Sequence, residues 1–464
     1  MRISALASTV TQSRSWKFVS QHSAWAICLA LPLAALLLHA IQAANLAGIH
    51  ETYERWFLRL AGHTSTKTLN PQILLIHLEE GENESLGRFD DDEGRQQRWR
   101  QHHAALLRKL EEAGAAVVIF DLWFPAARDA ATDADAARGN LLLAEAIRDV
   151  RSRESTRIVI GAIPERPTDE RIDASLPRDA TGLVSIRGLR GDAEESVAIS
   201  RVLVATTRGA SGGGHVTETL DVPYSLPLRA LMTQLETKQG GKVTASVEES
   251  DLVLWRDDVA IRRIRCESST CFKGSSNCDV EAPYGWARQL LLPLVPYWIP
   301  PQRDRRYDSV LAGPPGDDFR GKVVVVGVRS KAETFHVHGV PTEGGEVFGY
   351  QLLAGLISDL MDDTYPRRLS TAKLLAGFYV MLGLGAAARR LALQQPIPVS
   401  LPLLGSVKAP LALILAASAY LIFVIALYAT CHLVVEVGFD LAVLSGAYYL
   451  SPGKPAAARR AGFR

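Results

Sequence analysis

The stretch HAALLRKLEEAGAAVVIFDLWF, residues 103–124, decides the fold. His103 to Ala113 carries apolar residues at helical spacing and stops at Gly114, the residue type that closes a helix in the left-handed region. Val117 to Phe124 then runs apolar almost without a break, as a strand buried on both faces does. The pattern repeats on either side. Ile73 to Leu78 (ILLIHL) reads as a strand, Leu141 to Val150 as a helix and Arg157 to Ile163 (RIVIGAI) as a strand. Strand, helix, strand, helix, strand implies right-handed crossovers and parallel pairing, so the expected class is α/β with a mixed, largely parallel sheet.

Farther along, Val197 to Thr206 reads as a strand, Ser225 to Leu235 as a helix, and Leu252 to Trp255 with Val259 to Ile264 as a hairpin around Asp257 and Asp258. Residues 266 to 280 read as a cysteine-bearing loop. The alanine and aspartate stretch at 129–137 reads as a solvated loop. Lys322 to Gly327 (KVVVVG) belongs at the centre of the sheet, and Val347 to Met361 is a helix.

This α/β region is framed by apolar runs. Residues 24–44 (AWAICLALPLAALLLHAIQAA) are uncharged and long enough to cross a bilayer core of about 30 Å. Arg2, Arg14 and Lys17 precede them, so the positive-inside rule puts residues 1–23 in the cytoplasm and residues 45–368 outside. A cleaved signal peptide is the alternative, since Ala43 and Ala44 close the run. Three further runs, 371–388, 409–430 and 433–450, are read as transmembrane helices within 369–450. Arg389 and Arg390 mark one cytoplasmic end and the basic tail 451–464 another. Four spans satisfy every basic cluster; three, with residues 401–450 kinked or re-entrant, is the runner-up. The expected location is the bacterial cytoplasmic (inner) membrane. The tail is too short for an output domain, so the output is expected on another chain.

The chain has 464 residues, 51 of them basic and 50 acidic, and a net charge of +1 offers no electrostatic reason for a nucleic-acid partner. Of five cysteines, Cys28 and Cys431 fall in apolar runs. Cys266, Cys271 and Cys278 crowd one exported loop, which suggests one disulfide and a spare thiol; a zinc site there lacks a fourth ligand nearby.

Asp121 ends a buried strand, where open α/β sheets bind ligands, and Glu79 and Glu80 end the neighbouring one. The three carboxylates are candidates to gather at one rim and bind a cation or basic ligand; the plainer role for Asp121 is accepting backbone N–H bonds at a loop or helix start. Gly209 to Gly213 fits the G-x-S-x-G pattern, but glycines cannot start the helix a nucleophile elbow requires. Gly316 to Lys322 mimics a phosphate loop, yet Val323 replaces the required hydroxyl residue. His336 and His338 share one face of an extended segment and are weak metal candidates, a surface pair being the plainer reading.

The chain resembles the type 2 CHASE domain, an extracellular sensory domain associated with bacterial cyclases, histidine kinases and serine/threonine kinases. The resemblance rests on Ile73 to Glu80, Leu86-Gly87, Trp99, Arg100, His103-Ala104, the leucines at 106, 107 and 110, Ala113-Gly114-Ala115 and Phe120-Asp121-Leu122-Trp123-Phe124. It resumes at Phe319, Gly321-Lys322, Val323 to Val326 and Gly327, with looser matches at Val340-Pro341-Thr342 and Glu346-Val347. It implies that Asp121, Trp99 and Arg100 are ligand-proximal or fold-organising, and three closing spans accord with it. Departures include a missing proline between Trp99 and Arg100 and the acidic insertion Asp90 to Glu93.

The expectation is a membrane-anchored extracytoplasmic sensor or scaffold subunit that signals to a separate protein carrying the cytoplasmic output. A homo-oligomer is compatible with this, no cofactor is implied, and no catalytic constellation survives its context. A structural subunit of a multiprotein envelope complex is the alternative, and an exported enzyme the third.

Overall fold

The computed structural model describes residues 67–450 apart from shorter segments, the longest being 126–133, 184–200, 273–285, 337–345 and 401–407. The expected first span (24–44), the basic tail, Cys278 and His338 lie outside the described residues. The chain divides into two compact units, Leu58–Pro366 and a second comprising Arg367–Arg464 with Met1–Phe57.

The larger unit is built on six parallel strands. In chain order its first elements are β1 (Ile73–Glu79), α1 (Glu93–Glu112), β2 (Val117–Trp123), α2 (Ala134–Arg153), β3 (Arg157–Ala162), α3 (Glu170–Ser175) and β4 (Thr181–Leu183). An excursion follows: β5 (Arg201–Gly212), β6 (His215–Leu220), α4 (Leu226–Gln239), β7 (Val243–Glu248), β8 (Asp251–Arg256), β9 (Val259–Arg265), β10 (Glu267–Phe272) and β11 (Trp286–Pro293). The chain then returns through β12 (Asp304–Arg306), α5 (Tyr307–Ala312), β13 (Val323–Arg329), β14 (Thr334–His336), β15 (Glu346–Phe348) and α6 (Gly349–Asp362). The parallel sheet has the order β12-β1-β13-β2-β3-β4.

Because side chains alternate along a strand, each apolar run covers two faces. Leu74, Ile76 and Leu78 of β1 with Val324, Val326 and Val328 of β13 join one core with α1, α2, α3 and α5. Ile73 and Leu75 with Val323 and Val325 join another under α4 and α6. The far sides of α4 and α6 are covered too. Leu228, Leu231, Leu352, Leu356 and Leu360 pack with residues of the antiparallel sheets β10-β11-β5-β6 and β7-β8-β9. Helix α6 is thus apolar on both sides, and even its Ser358 and Asp359 are buried.

Several elements run differently from the sequence reading. Helix α1 starts ten residues before His103, because its first turns, EGRQQR, hold no apolar residue for periodicity to register. Helix α2 begins at Ala134, inside the alanine and aspartate stretch read as loop. Part of the cysteine loop is strand β10, paired antiparallel with β11; Cys266 is buried and Cys271 lies in the strand. Ser211 pairs with Val216 in a hairpin, so the G-x-S-x-G pattern forms no elbow. Asp257 and Asp258 both have positive φ, as a two-residue hairpin turn of the expected kind demands.

Among its described residues the smaller unit holds three helices, α7 (Thr371–Gln394), α8 (Leu411–Cys431) and α9 (Val437–Leu450). Among the described residues no helix is long and apolar enough to cross a membrane. The backbone of α8 runs 21 residues without a charged side chain, but the surroundings of its first residue and its last four lie outside the described residues.

Helix α6 approaches β13 closely at Gly327, where a Cβ would stand 2.3 Å from Tyr350 Cβ. Gly327→Val is therefore expected to lower the thermal midpoint of the full chain, with a cost of at least about 1–3 kcal/mol from overpacking. A melt in detergent that leaves the midpoint unchanged refutes this account of the contact.

Candidate functional site

The alternation that fills the α6 face with apolar residues turns polar at the carboxyl ends of the strands. After Ile73 and Leu75 the same face of β1 continues with His77 and Glu79, and after Val323 and Val325 that of β13 continues with Gly327 and Arg329. The parallel register sets Gly327 beside His77 and Arg329 beside Glu79, with the latter pair's charges 3.8 Å apart. On the other flank, edge strand β12 sets Asp304 beside Leu75. Gly327 is what leaves room here for the Tyr350 ring, whose centroid lies 6.2 Å from that of His77.

Asp304 is the hub. Its Oδ1 lies 2.7 Å from His77 Nδ1, while its Oδ2 accepts from the Tyr350 hydroxyl at 2.8 Å and from Gln351 Nε2 at 2.9 Å. Burial pushes the Asp304 carboxyl up, but the hydrogen bond and charge of His77, with the bonds from Gln351 and Tyr350, outweigh it and hold the group below its ordinary value. Tyr350 is driven the other way, first by burial and then by Asp304. An ionised carboxylate only accepts, so His77 must donate through Nδ1. The guanidinium of Arg329 lies over the Phe348 ring at 4.9 Å.

The CHASE2 domain family matches residues 26–388, which include every residue of this rim. The chain belongs to the CHASE2 domain family. CHASE2 domains are extracellular sensory domains. No curated protein and no solved structure matches the chain.

Within the CHASE2 domain the residues singled out from the sequence separate into distinct places. Glu79 belongs to the rim, but Glu80, one residue past the end of β1, accepts the Ser330 hydroxyl at 2.6 Å. Among the described residues no three metal-ligating side chains converge, so the two glutamates and Asp121 form no cation-binding cluster. Asp121 is half-buried on β2, just past Phe120, the last residue that pairs with β13. His336 lies on the backbone of β14, paired with Glu346.

Trp99 and Arg100 lie deep in the CHASE2 core. Arg100 is 1% exposed, donates to Asn140 Oδ1 and, at 2.5 Å, to the Pro125 carbonyl, and sits 5.7 Å from the Phe124 ring centroid. Asn140 in turn donates to Asp169, whose other oxygen caps the start of α3. One guanidinium thereby ties α1, α2 and the loop after β2 to α3. Burial brings it down to about 10, opposed by the charge of Asp169, so it stays cationic at neutral pH. Trp99 and His103 pack edgewise on Tyr307, and His103 Nδ1 lies 2.8 Å from the Tyr307 hydroxyl.

The sequence reading missed His77, Asp304, Arg329, Tyr350 and Gln351. His77 was visible as the one polar residue inside ILLIHL.

Burial, with the neighbouring His102 and Arg100, pushes His103 down to about 3. The unfolded chain binds a proton at this histidine near pH 6.5 and the folded chain does not, so the contribution is intact above about pH 6.5 and lost as pH falls from there towards 3. His103→Gln is expected to flatten the fall in thermal midpoint between pH 6.5 and 4.5. Parallel pH profiles of variant and parent contradict this.

Proposed function

We propose that the chain is a membrane-anchored extracytoplasmic sensor whose input site is the rim around His77 and Asp304, and whose state is passed to a separate output protein. The single observation that carries this reading is the reach of α6. Its first turn holds Asp304 through Tyr350 and Gln351, and its last turn holds the segment leading into β1. There Asn70 N donates to Ser358 Oγ at 2.9 Å, Asn70 Nδ2 donates to Asp362 at 2.5 Å, and Lys67 pairs with the buried Asp359 at 3.1 Å. Lys67 also donates to the Thr364 carbonyl. Fourteen residues, about 21 Å of helix, thus join the rim to the place where the chain enters and leaves the domain.

A ligand acts on such a protein only by binding one arrangement better than another. A shift of α6 at Asp304 would be felt at Lys67 and Thr364, and from there in the segments that continue towards residues 58 and 366. Membrane anchoring is supported by the basic residues before the apolar run 24–44 and by apolar side chains turned outward in the smaller unit. Val380 and Leu391 on α7 and Leu415, Ile422 and Phe423 on α8 are all more than half exposed. Polar groups in that unit are turned inward: the Tyr420 hydroxyl donates to the buried Asp440.

Two outcomes are expected. Purified from native membranes in mild detergent, the chain should bring down a protein with a cytoplasmic catalytic domain. Recovery alone, or in a fixed-stoichiometry assembly whose members carry none, overturns the transmission half of the reading. Lys67→Met removes the cation facing the Asp359 carboxylate, whose side chain is only 2% exposed, and leaves it the Thr364 hydroxyl. The midpoint of unfolding should fall, with a cost up to about 3–5 kcal/mol, and Asp359→Leu added to it should restore part of the loss.

A further inference from the structure

We infer that His77 Nε2 and the Glu79 carboxylate bind a divalent transition metal of the zinc class, with water completing its coordination. The inference names a ligand for the rim and so rests on the sensory reading. It begins with the tautomer. With Asp304 accepting at Nδ1, the second ring nitrogen of His77 is the position left for a metal, whose binding displaces any proton there. That nitrogen is buried and has no hydrogen-bond partner among the described residues, in a side chain only 6% exposed. Leaving a buried polar atom unsatisfied is destabilising, and a bound ligand at Nε2 removes that cost.

Glu79 Oε1 lies 3.7 Å from Nε2. This is long for a hydrogen bond and close to the separation of about 3.4 Å between two ligands at 2.0–2.2 Å on one tetrahedral zinc. The pair is i, i+2 on one strand, so both side chains leave the same face. Behind them the carboxylate of Asp304 orients the imidazole through its other nitrogen, the arrangement that fixes metal-binding histidines, and Tyr350 and Gln351 hold that carboxylate in turn. Imidazole and carboxylate together suit zinc and its first-row neighbours better than calcium or magnesium.

Among the described residues no three histidine, cysteine or acidic side chains converge. Two protein ligands plus water make a site of modest affinity, open to exchange. Arg329 is the built-in competitor. Its guanidinium sits at the same Glu79 oxygen, and the Phe348 ring gives it a resting place when a metal takes that oxygen.

The test is a calorimetric titration of the metal-free full chain in detergent with zinc chloride, run on the parent and on single variants. One saturable site should be lost in Glu79→Gln and in His77→Gln, with zinc bound elsewhere on the chain unchanged. Arg329→Gln should tighten the same site several-fold, an effect that a purely structural histidine does not produce. Glu79 is 41% exposed, so its variant keeps the test valid if His77→Gln fails to fold. A Glu79→Gln chain that titrates like the parent, or an Arg329→Gln chain with no tighter site, overturns the metal. Either result leaves the sensory reading standing on its own co-purification test.

Discussion

The structure depends on one constraint: a parallel sheet whose strands are apolar on both faces must be covered on both. Helices α1, α2, α3 and α5 meet this on one side in the ordinary way, with one apolar stripe each. The other side is met by α4 and α6, which are themselves covered by antiparallel sheet and so need two apolar stripes. That requirement is why α6 reads GYQLLAGLISDL, with hardly a solvent-facing position, and why Gly327 must yield its side chain to Tyr350. It also explains the placement of polar groups. On a helix with no wet face, they can sit only at the two ends, and Tyr350 with Gln351 at one end and Ser358 with Asp359 at the other do so.

The rim is the same rule running out. Each strand keeps its two-residue alternation past the point where the core needs it, so the final residues on the α6 face, His77, Glu79 and Arg329, inherit positions that would otherwise be filled by valine or leucine. Family membership then gives these positions interest, because a CHASE2 domain is a sensory domain and α6 bonds this polar set at one end and Lys67 with Asn70 at the other.

Much of the fold was legible. Continuous apolar runs identified β1, β2, β3 and β13, and the central place of β13 followed from KVVVVG alone. The aspartate pair marks the β8–β9 turn in the sequence itself. The antiparallel layer was only partly so: β10, ESSTCF, has mostly small polar residues, and its strand character comes from its partner β11. The site was legible only in fragments. Glu79 stands out in the sequence from its place at a strand end, but Glu80 lies just past that strand and bonds to Ser330 instead. Asp304 left no mark in the charged run RDRRYD; it matters because an edge strand carries it to His77 across 227 residues of chain. No local pattern encodes such a meeting.

The bonds from Lys67 and Asn70 to the last turn of α6 have a further consequence. They fasten the first and last described parts of a 309-residue unit to each other, bringing Lys67 beside Thr364. A domain of that geometry behaves as an insertable cassette: it can be set into a host chain at a single point without asking the host to bridge any distance. The same fold could then be grafted between neighbouring segments of many different proteins, keeping its own core intact and changing only what lies on either side of it.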